Sequence, residues 1–114
     1  MGESNLFFEI ADESVKKIYR KTLDFPYKFQ SSIGDQLRRV SLSIILNIVE
    51  GGARTSFKER KHFLSITFGS LKETKYLLSF SRELNLIDEL FQKEVYIKFD
   101  RLGSLIYGYL KKNP

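Results

Sequence analysis

The sequence predicts an all-α protein, an antiparallel up-down-up-down four-helix bundle. Three observations favour it: apolar residues recur every three or four positions, the connections are short, and the 114 residues include only two prolines and seven glycines. A composition with 42% hydrophobic and 29% charged residues is typical of a globular protein of this length. We therefore expect one domain over residues 1–114, with helices at about residues 6–24, 32–51, 56–84 and 88–112.

The first helix carries one apolar stripe and ends before Pro26, because the residue before a proline is pushed out of the helical region. The stripe contains Phe7, Ala11, Val15, Ile18 and Thr22.

The second helix is expected to begin at Ser31 or Ser32, either of which can cap it, with Asp35 in its first turn. It carries two apolar stripes: Ile33, Leu37, Val40, Ile44 and Ile48 form one, and Leu42, Ile45, Leu46 and Val49 form the other. A helix that is apolar on two sides must be buried on both. This predicts either a central position in the bundle or a surface covered by another subunit.

Gly51 and Gly52 are expected to stop that helix, one of them in the left-handed conformation. Ser56 then starts the third helix as a capping box with Glu59, so helices two and three form an antiparallel hairpin. Gly69, in the middle of helix three, suggests close approach of a neighbouring helix. Asn85 and Leu86 make the last turn, and Asp88 caps helix four.

The composition excludes most kinds of active site. Without cysteine, thiolate metal sites and cysteine nucleophiles are absent, and the single histidine, His62, is expected at the surface. We therefore expect no enzymatic activity, cofactor or metal. The N-terminus lacks the basic region of a signal peptide, and the longest apolar run, Val40–Val49, is too short to span a membrane. A cytoplasmic location follows as the default expectation.

Positive charge is concentrated in one segment. The net charge is +5, of which +4 falls between Arg38 and Lys61. The basic residues form a stripe along the predicted hairpin that suits a polyanion, so RNA or DNA is one expected partner. The candidate contacts are Arg39, Arg54, Lys58 and Lys61. A protein-interaction adaptor whose arginines serve subunit contacts is the alternative.

Polar and aromatic residues on the apolar stripes need explanations of their own. Asn47 lies among aliphatic residues and requires a hydrogen-bond partner, and Glu50, near the negative end of its helix, requires a base such as Arg54. Most phenylalanines fit the core. Three tyrosines, Tyr27, Tyr107 and Tyr109, are expected at a bundle end or an interface.

Four motifs between Gln36 and Glu73 resemble the bacterial four-helix-bundle family named for open reading frames in intervening sequences of 23S ribosomal RNA genes. The motifs are Q-L-R-R at 36–39, S-I at 43–44, N-I-x-E-G at 47–51 and F-L-x-I-x-x-G-S-L-x-E at 63–73. The resemblance implies a toroidal homopentamer without enzymatic activity, related to the basic pentameric accessory protein of diversity-generating retroelements, which works with a reverse transcriptase and nucleic acid.

The resemblance places the family's recurrent polar positions on six residues of this chain. One of them is Arg39, and the other five are expected to form a structural polar network. The network residues are Gln36, Arg38, Asn47, Glu50 and Glu73. Three positions depart from the family pattern: Ile45 replaces a proline, and Val49 and Thr67 replace alanines. The first is expected to straighten helix two, and the others enlarge sites where small residues allow close packing.

Overall fold

The computed structural model describes residues 2–113, which form four α-helices packed around one core. The helices are α1 (Gly2–Leu23), α2 (Asp35–Gly52), α3 (Phe57–Glu83) and α4 (Glu89–Leu110). Extensive contacts join α1 to α2, α2 to α3, α3 to α4 and α1 to α4. The architecture is therefore the four-helix bundle that the apolar periodicity predicted, with α2 and α4 at opposite corners.

Each helix buries one stripe at the bundle axis, and branched aliphatic side chains fill most of it. The fully buried positions include Ile18, Leu37, Ile44, Leu71, Leu78, Phe99, Leu102 and Ile106. On α2, the first predicted stripe enters this core. Of the second stripe, Ile45 is partly buried against the core, whereas Leu42, Leu46 and Val49 are exposed on the single chain.

The connection between α1 and α2 differs from the expectation. A 3-10 turn at Tyr27–Phe29 leads into a π-helical turn at Gln30–Gly34, which runs directly into α2. The predicted cap at Ser31 or Ser32 is therefore wrong: Gly34 holds the N-cap position in helical backbone, without a side-chain hydrogen bond. Because the preceding turn supplies carbonyl acceptors, such as Ser32 O for the N–H of Asp35, no side-chain cap is needed.

The predicted left-handed glycine at the end of α2 is also wrong. No glycine in residues 2–113 has a positive φ, and α2 continues through Gly52. The glycines instead allow close packing, since a Cβ at Gly52 would lie 3.0 Å from the Ser4 hydroxyl oxygen, and one at Gly51 would lie 3.2 Å from Phe63 Cβ. The left-handed residue is Asn85, with φ 61°, in the predicted turn between α3 and α4.

Both predicted side-chain caps after α2 are confirmed. The Ser56 hydroxyl accepts a hydrogen bond from the N–H of Glu59 at 3.0 Å, and Asp88 Oδ1 accepts one from the N–H of Phe91 at 2.9 Å. The expectation for Gly69 is wrong within this chain, because a Cβ there would meet nothing within 4 Å. The residue that packs closely against α2 is its neighbour Ser70, which is buried.

Candidate functional site

Arg38 is the centre of a polar cluster that joins α1 to the start of α2. Its Nη1 donates to Thr22 Oγ1 at 3.0 Å and to Gln30 Oε1 at 3.2 Å, and its Nη2 donates to Gln30 O at 2.8 Å. Gln30 Nε2 in turn donates to the carbonyl oxygens of Thr22 and Phe25, both at 2.8 Å. The guanidinium is half-buried and both of its terminal nitrogens donate inside the chain, so Arg38 organises the connection between α1 and α2.

Sequence reasoning missed the partners of Arg38. Thr22 was placed on an apolar stripe, and Gln30 lay between the expected first and second helices. The available signal was a hydroxyl side chain at the last position of that stripe, where a buried polar group requires a hydrogen-bond partner.

Two candidate arginines are paired with a carboxylate one helical turn away. Arg39 Nε lies 3.0 Å from Asp35 Oδ2, and its side chain is 80% exposed. Arg54 pairs with Glu50, as the sequence suggested, and its guanidinium lies 4.8 Å from the ring centroid of Phe63. Exposed pairs of this spacing are worth only about 0.3–0.5 kcal/mol, so both arginines can exchange their carboxylate for another anion.

Lys58 and Lys61 lie where α3 begins and α4 ends. Lys58 is exposed. Lys61 Nζ donates to the carbonyl oxygen of Lys112 at 2.9 Å and lies 5.4 Å from the ring centroid of Phe57. Arg39 stands near the other end of α2, about 20 Å along the helix from Arg54. The four candidate residues therefore do not form one cluster.

The five residues of the expected polar network separate into local sets. Asn47 Nδ2 donates to the carbonyl oxygen of Ser43 at 2.8 Å and to its hydroxyl at 3.1 Å, and that hydroxyl lies 2.8 Å from Ser70 Oγ. This chain links α2 to α3. Over residues 2–113, Gln36 and Glu73 are exposed and their side chains make no hydrogen bond or ion pair. Arg38 and Glu50 belong to the separate contacts described above.

An exposed apolar face lies on α2 and α3. Phe63 packs against Gly51 and Ser70 contacts Ser43, so Ile66, at helical spacing from both, lies on the α2 side of α3. We call the set Leu42, Leu46, Val49 and Ile66 the α2–α3 apolar face; all four side chains are exposed. Leu46 is the most exposed of them, at 61%.

A groove of about 330 Å³ separates α3 from α4. We call it the α3–α4 groove; its lining includes Phe68, Lys72, Lys75, Asp100, Ser104 and Tyr107. The rings of Phe68 and Tyr107 are 6.0 Å apart with an interplanar angle of 33°. The ammonium of Lys111 lies 4.8 Å from the Tyr107 ring centroid, and its hydrogen bond and charge interaction with Tyr107 raise the pKa of Lys111.

The three tyrosines singled out by the sequence occupy different environments. Tyr27 is almost fully exposed in the 3-10 turn, and Tyr107 is half-exposed at the α3–α4 groove. Tyr109 lies at a bundle end, in the last turn of α4, and is buried there, with its ring stacked 5.4 Å from that of Phe57 and edge-on to Phe7 at 6.4 Å. His62 is exposed, as expected.

Among the described residues, no group of three or more His, Cys, Asp or Glu side chains is placed to hold a metal ion. Nor is any of the helices in this part of the chain long and apolar enough to cross a membrane.

Comparison with known proteins supports the fold and identifies relatives. The model of a family described as 23S rRNA-intervening sequence protein matches residues 3–108. A crystal structure of a protein of unknown function from the S23 ribosomal protein family of Bacteroides thetaiotaomicron VPI-5482 superposes with a TM-score of 0.82 at 19% identity, covering 96% of this chain and 99% of that one. No curated protein matches the chain significantly.

Proposed function

Because the chain belongs to the 23S rRNA-intervening sequence protein family, we propose that it is a non-enzymatic, self-associating helical bundle that binds structured RNA or DNA through a basic surface. The observation that carries the proposal is the α2–α3 apolar face. The resemblance noted in the sequence makes a homopentamer the expected assembly.

The apolar face has the chemistry of a subunit contact. Its three α2 side chains follow one another at helical spacing, and fully burying each would contribute about 1.5–3 kcal/mol. Exposed apolar side chains that neighbour one another on the outer face of a helix favour association with another surface. The polar cluster of Arg38 and the Asn47–Ser43–Ser70 chain hold α2 rigidly behind the face, which lowers the entropy lost on association.

Light scattering coupled to size-exclusion chromatography tests the assembly. We expect wild-type protein at micromolar concentration to elute as an oligomer and Leu46→Glu to elute as a monomer, because assembly would bury the new carboxylate. Ile97→Glu is the matched control, since Ile97 is 60% exposed, against 61% for Leu46, and lies on α4 at the opposite corner. A monomeric wild type, or equal loss of assembly in both variants, would contradict the proposal.

Nucleic-acid binding is supported by the positive net charge and by the weakness of the ion pairs that Arg39 and Arg54 make within the chain. The chain has a net charge of +5 and a pI of about 9.5. Phosphate contacts release counterions, so affinity for RNA or DNA should fall steeply with rising salt. Fluorescence anisotropy with a labelled hairpin RNA at 50–200 mM salt measures this, and no binding even at the lowest salt would remove this part of the proposal.

A protein-interaction adaptor is the second candidate function. It is favoured by the intrachain partners of Arg38, which engage its guanidinium without any ligand. An adaptor would assemble normally yet bind neither RNA nor DNA at low salt. Arg54→Gln with Lys58→Gln would then leave its assembly unchanged, whereas a nucleic-acid-binding protein would lose affinity in the same double variant.

A further inference from the structure

The α3–α4 groove brings aromatic side chains and lysines together between two helices. Aromatic rings from both helices line it, together with Lys72 and Lys75 of α3. Lys111, which directly follows α4, lies over the ring of Tyr107. It lies on the α4 side of α3, whereas the α2–α3 apolar face lies on the other side. Assembly through that face therefore leaves the groove open.

We propose that the α3–α4 groove binds single-stranded nucleic acid, with a base stacked on Tyr107 beside Phe68 and with the neighbouring phosphates contacted by Lys72 and Lys111. This inference rests on the proposed function and adds a contact for single strands, made by residues outside the basic stripe of the hairpin.

The aromatic pair provides a stacking platform. Tyr107 is 50% exposed, and Phe68 holds it from one side at 6.0 Å between centroids. Every nucleobase has a π-face, so stacking on such a pair tolerates any base. A groove of about 330 Å³ is at the lower end of the volumes typical of small-ligand sites.

The lysines are placed to move from the rings to phosphates. Lys72 Nζ lies 5.2 Å from the Phe68 ring centroid and Lys111 Nζ lies 4.8 Å from that of Tyr107. Neither has a carboxylate partner within the described chain. A cation over an exposed ring is weakly held on a flexible stem, so a base can take the ring face while the ammonium shifts to the adjacent phosphate.

One acidic residue limits the charge and adds hydrogen-bonding capacity. Asp100 pairs with Lys75, which removes one cation from the groove's net charge. The Asp100 carboxylate and the Ser104 hydroxyl both line the groove and can accept hydrogen bonds from the N–H groups on the edge of a base, including the ring N3–H of uracil. The hydrogen-bonding edge of a base, like its face, is accessible to the groove when the base is unpaired. The proposal therefore specifies single strands.

The test is fluorescence anisotropy of the full chain with a labelled 20-nucleotide oligouridylate at 50 mM salt. We expect Tyr107→Ala to weaken binding about tenfold and Tyr107→Phe to bind within about twofold of wild type, since one stacked base is lost only in the first. Lys72→Gln should weaken binding severalfold. Lys98→Gln, an identical charge change on the α1 side of α4, should have a smaller effect.

Two further probes serve as controls: a duplex of the same length, and free uridine monophosphate as a competitor. We expect the duplex to be insensitive to Tyr107→Ala, and the mononucleotide not to compete at equal base concentration. Competition by the mononucleotide would overturn the polymer assignment. If Tyr107→Ala and Lys72→Gln both bind with wild-type affinity, the groove is not the binding site, and the proposed function is unaffected. If wild-type protein binds no nucleic acid at all, both the groove proposal and the nucleic-acid part of the proposed function are wrong. Circular dichroism melting verifies that each variant is folded.

Discussion

Two adjacent arginines have different roles because the helix turns by about 100° between them. Arg38 points toward α1 and is half-buried against Thr22 and Gln30. Arg39 points to solvent and pairs only with Asp35. The same side-chain type is therefore structural at one position and available for binding at the next.

We predict that Arg38→Ala lowers the free energy of unfolding by about 1.5–3 kcal/mol. The substitution removes three charge-assisted hydrogen bonds and leaves the half-buried Gln30 side-chain and backbone oxygens without their donor. Urea denaturation followed by circular dichroism measures the change.

Arg39→Ala is the internal control for this prediction. It removes one exposed pair and should change stability by no more than about 0.5 kcal/mol. Arg38→Lys should recover little of the loss, because an ammonium cannot reproduce the fork of the guanidinium. Equal effects of Arg38→Ala and Arg39→Ala would show that the cluster does not stabilise the connection.

The starts of the helices differ in how their amide groups are satisfied. At α3 the Ser56 hydroxyl accepts the N–H of Glu59. At α2 the π-helical turn supplies backbone acceptors, and Ser32 Oγ makes only a weak 3.4 Å contact with Phe29 O. We predict that Ser56→Ala costs about 1 kcal/mol of stability and Ser32→Ala less than about 0.5 kcal/mol. Shifts in the urea midpoint compare them, and a larger loss for Ser32→Ala would show that it does cap α2.

The helices were predictable from sequence because their signal is local. The spacing of Leu37, Ile44 and Ile48 identifies a buried face without knowledge of its neighbours, and Ser56 and Asp88 cap within their own turns. The start of α2 was not predictable in this way. Its π-helical turn is held by Arg38 and Gln30 reaching back to Thr22, contacts that depend on how α1 packs.

The candidate site was predictable only in part for the same reason. The second stripe of α2 was visible as periodicity, and the structure leaves Leu42, Leu46 and Val49 exposed on the single chain. The α3–α4 groove joins Phe68 to Tyr107, which are far apart in sequence. Their proximity depends on the register between α3 and α4, which no local sequence pattern specifies. The sequence therefore indicated basic residues of the hairpin as the nucleic-acid contacts and did not reveal the groove.

At the scale of the whole molecule, α3 separates two surfaces of different chemistry. Ile66, on the α2 side of α3, belongs to the α2–α3 apolar face, and the α4 side of α3 lines the α3–α4 groove. We therefore expect the proposed self-association and the proposed nucleic-acid binding to be separable by mutation, and an assembly would present several grooves at once. Several grooves on one particle can engage one long strand, which raises the apparent affinity without any new contact.

We predict that wild-type protein binds a 60-nucleotide oligouridylate at least about tenfold more tightly than a 15-nucleotide one, after correction for the number of binding positions. The short strand fills one groove, whereas the long strand reaches others on the same assembly. Leu46→Glu, which disrupts the apolar face, should bind the short strand as wild type does and lose the extra affinity for the long one. Ile97→Glu should retain both affinities, and the same length dependence in Leu46→Glu as in wild type would show that the grooves do not act together.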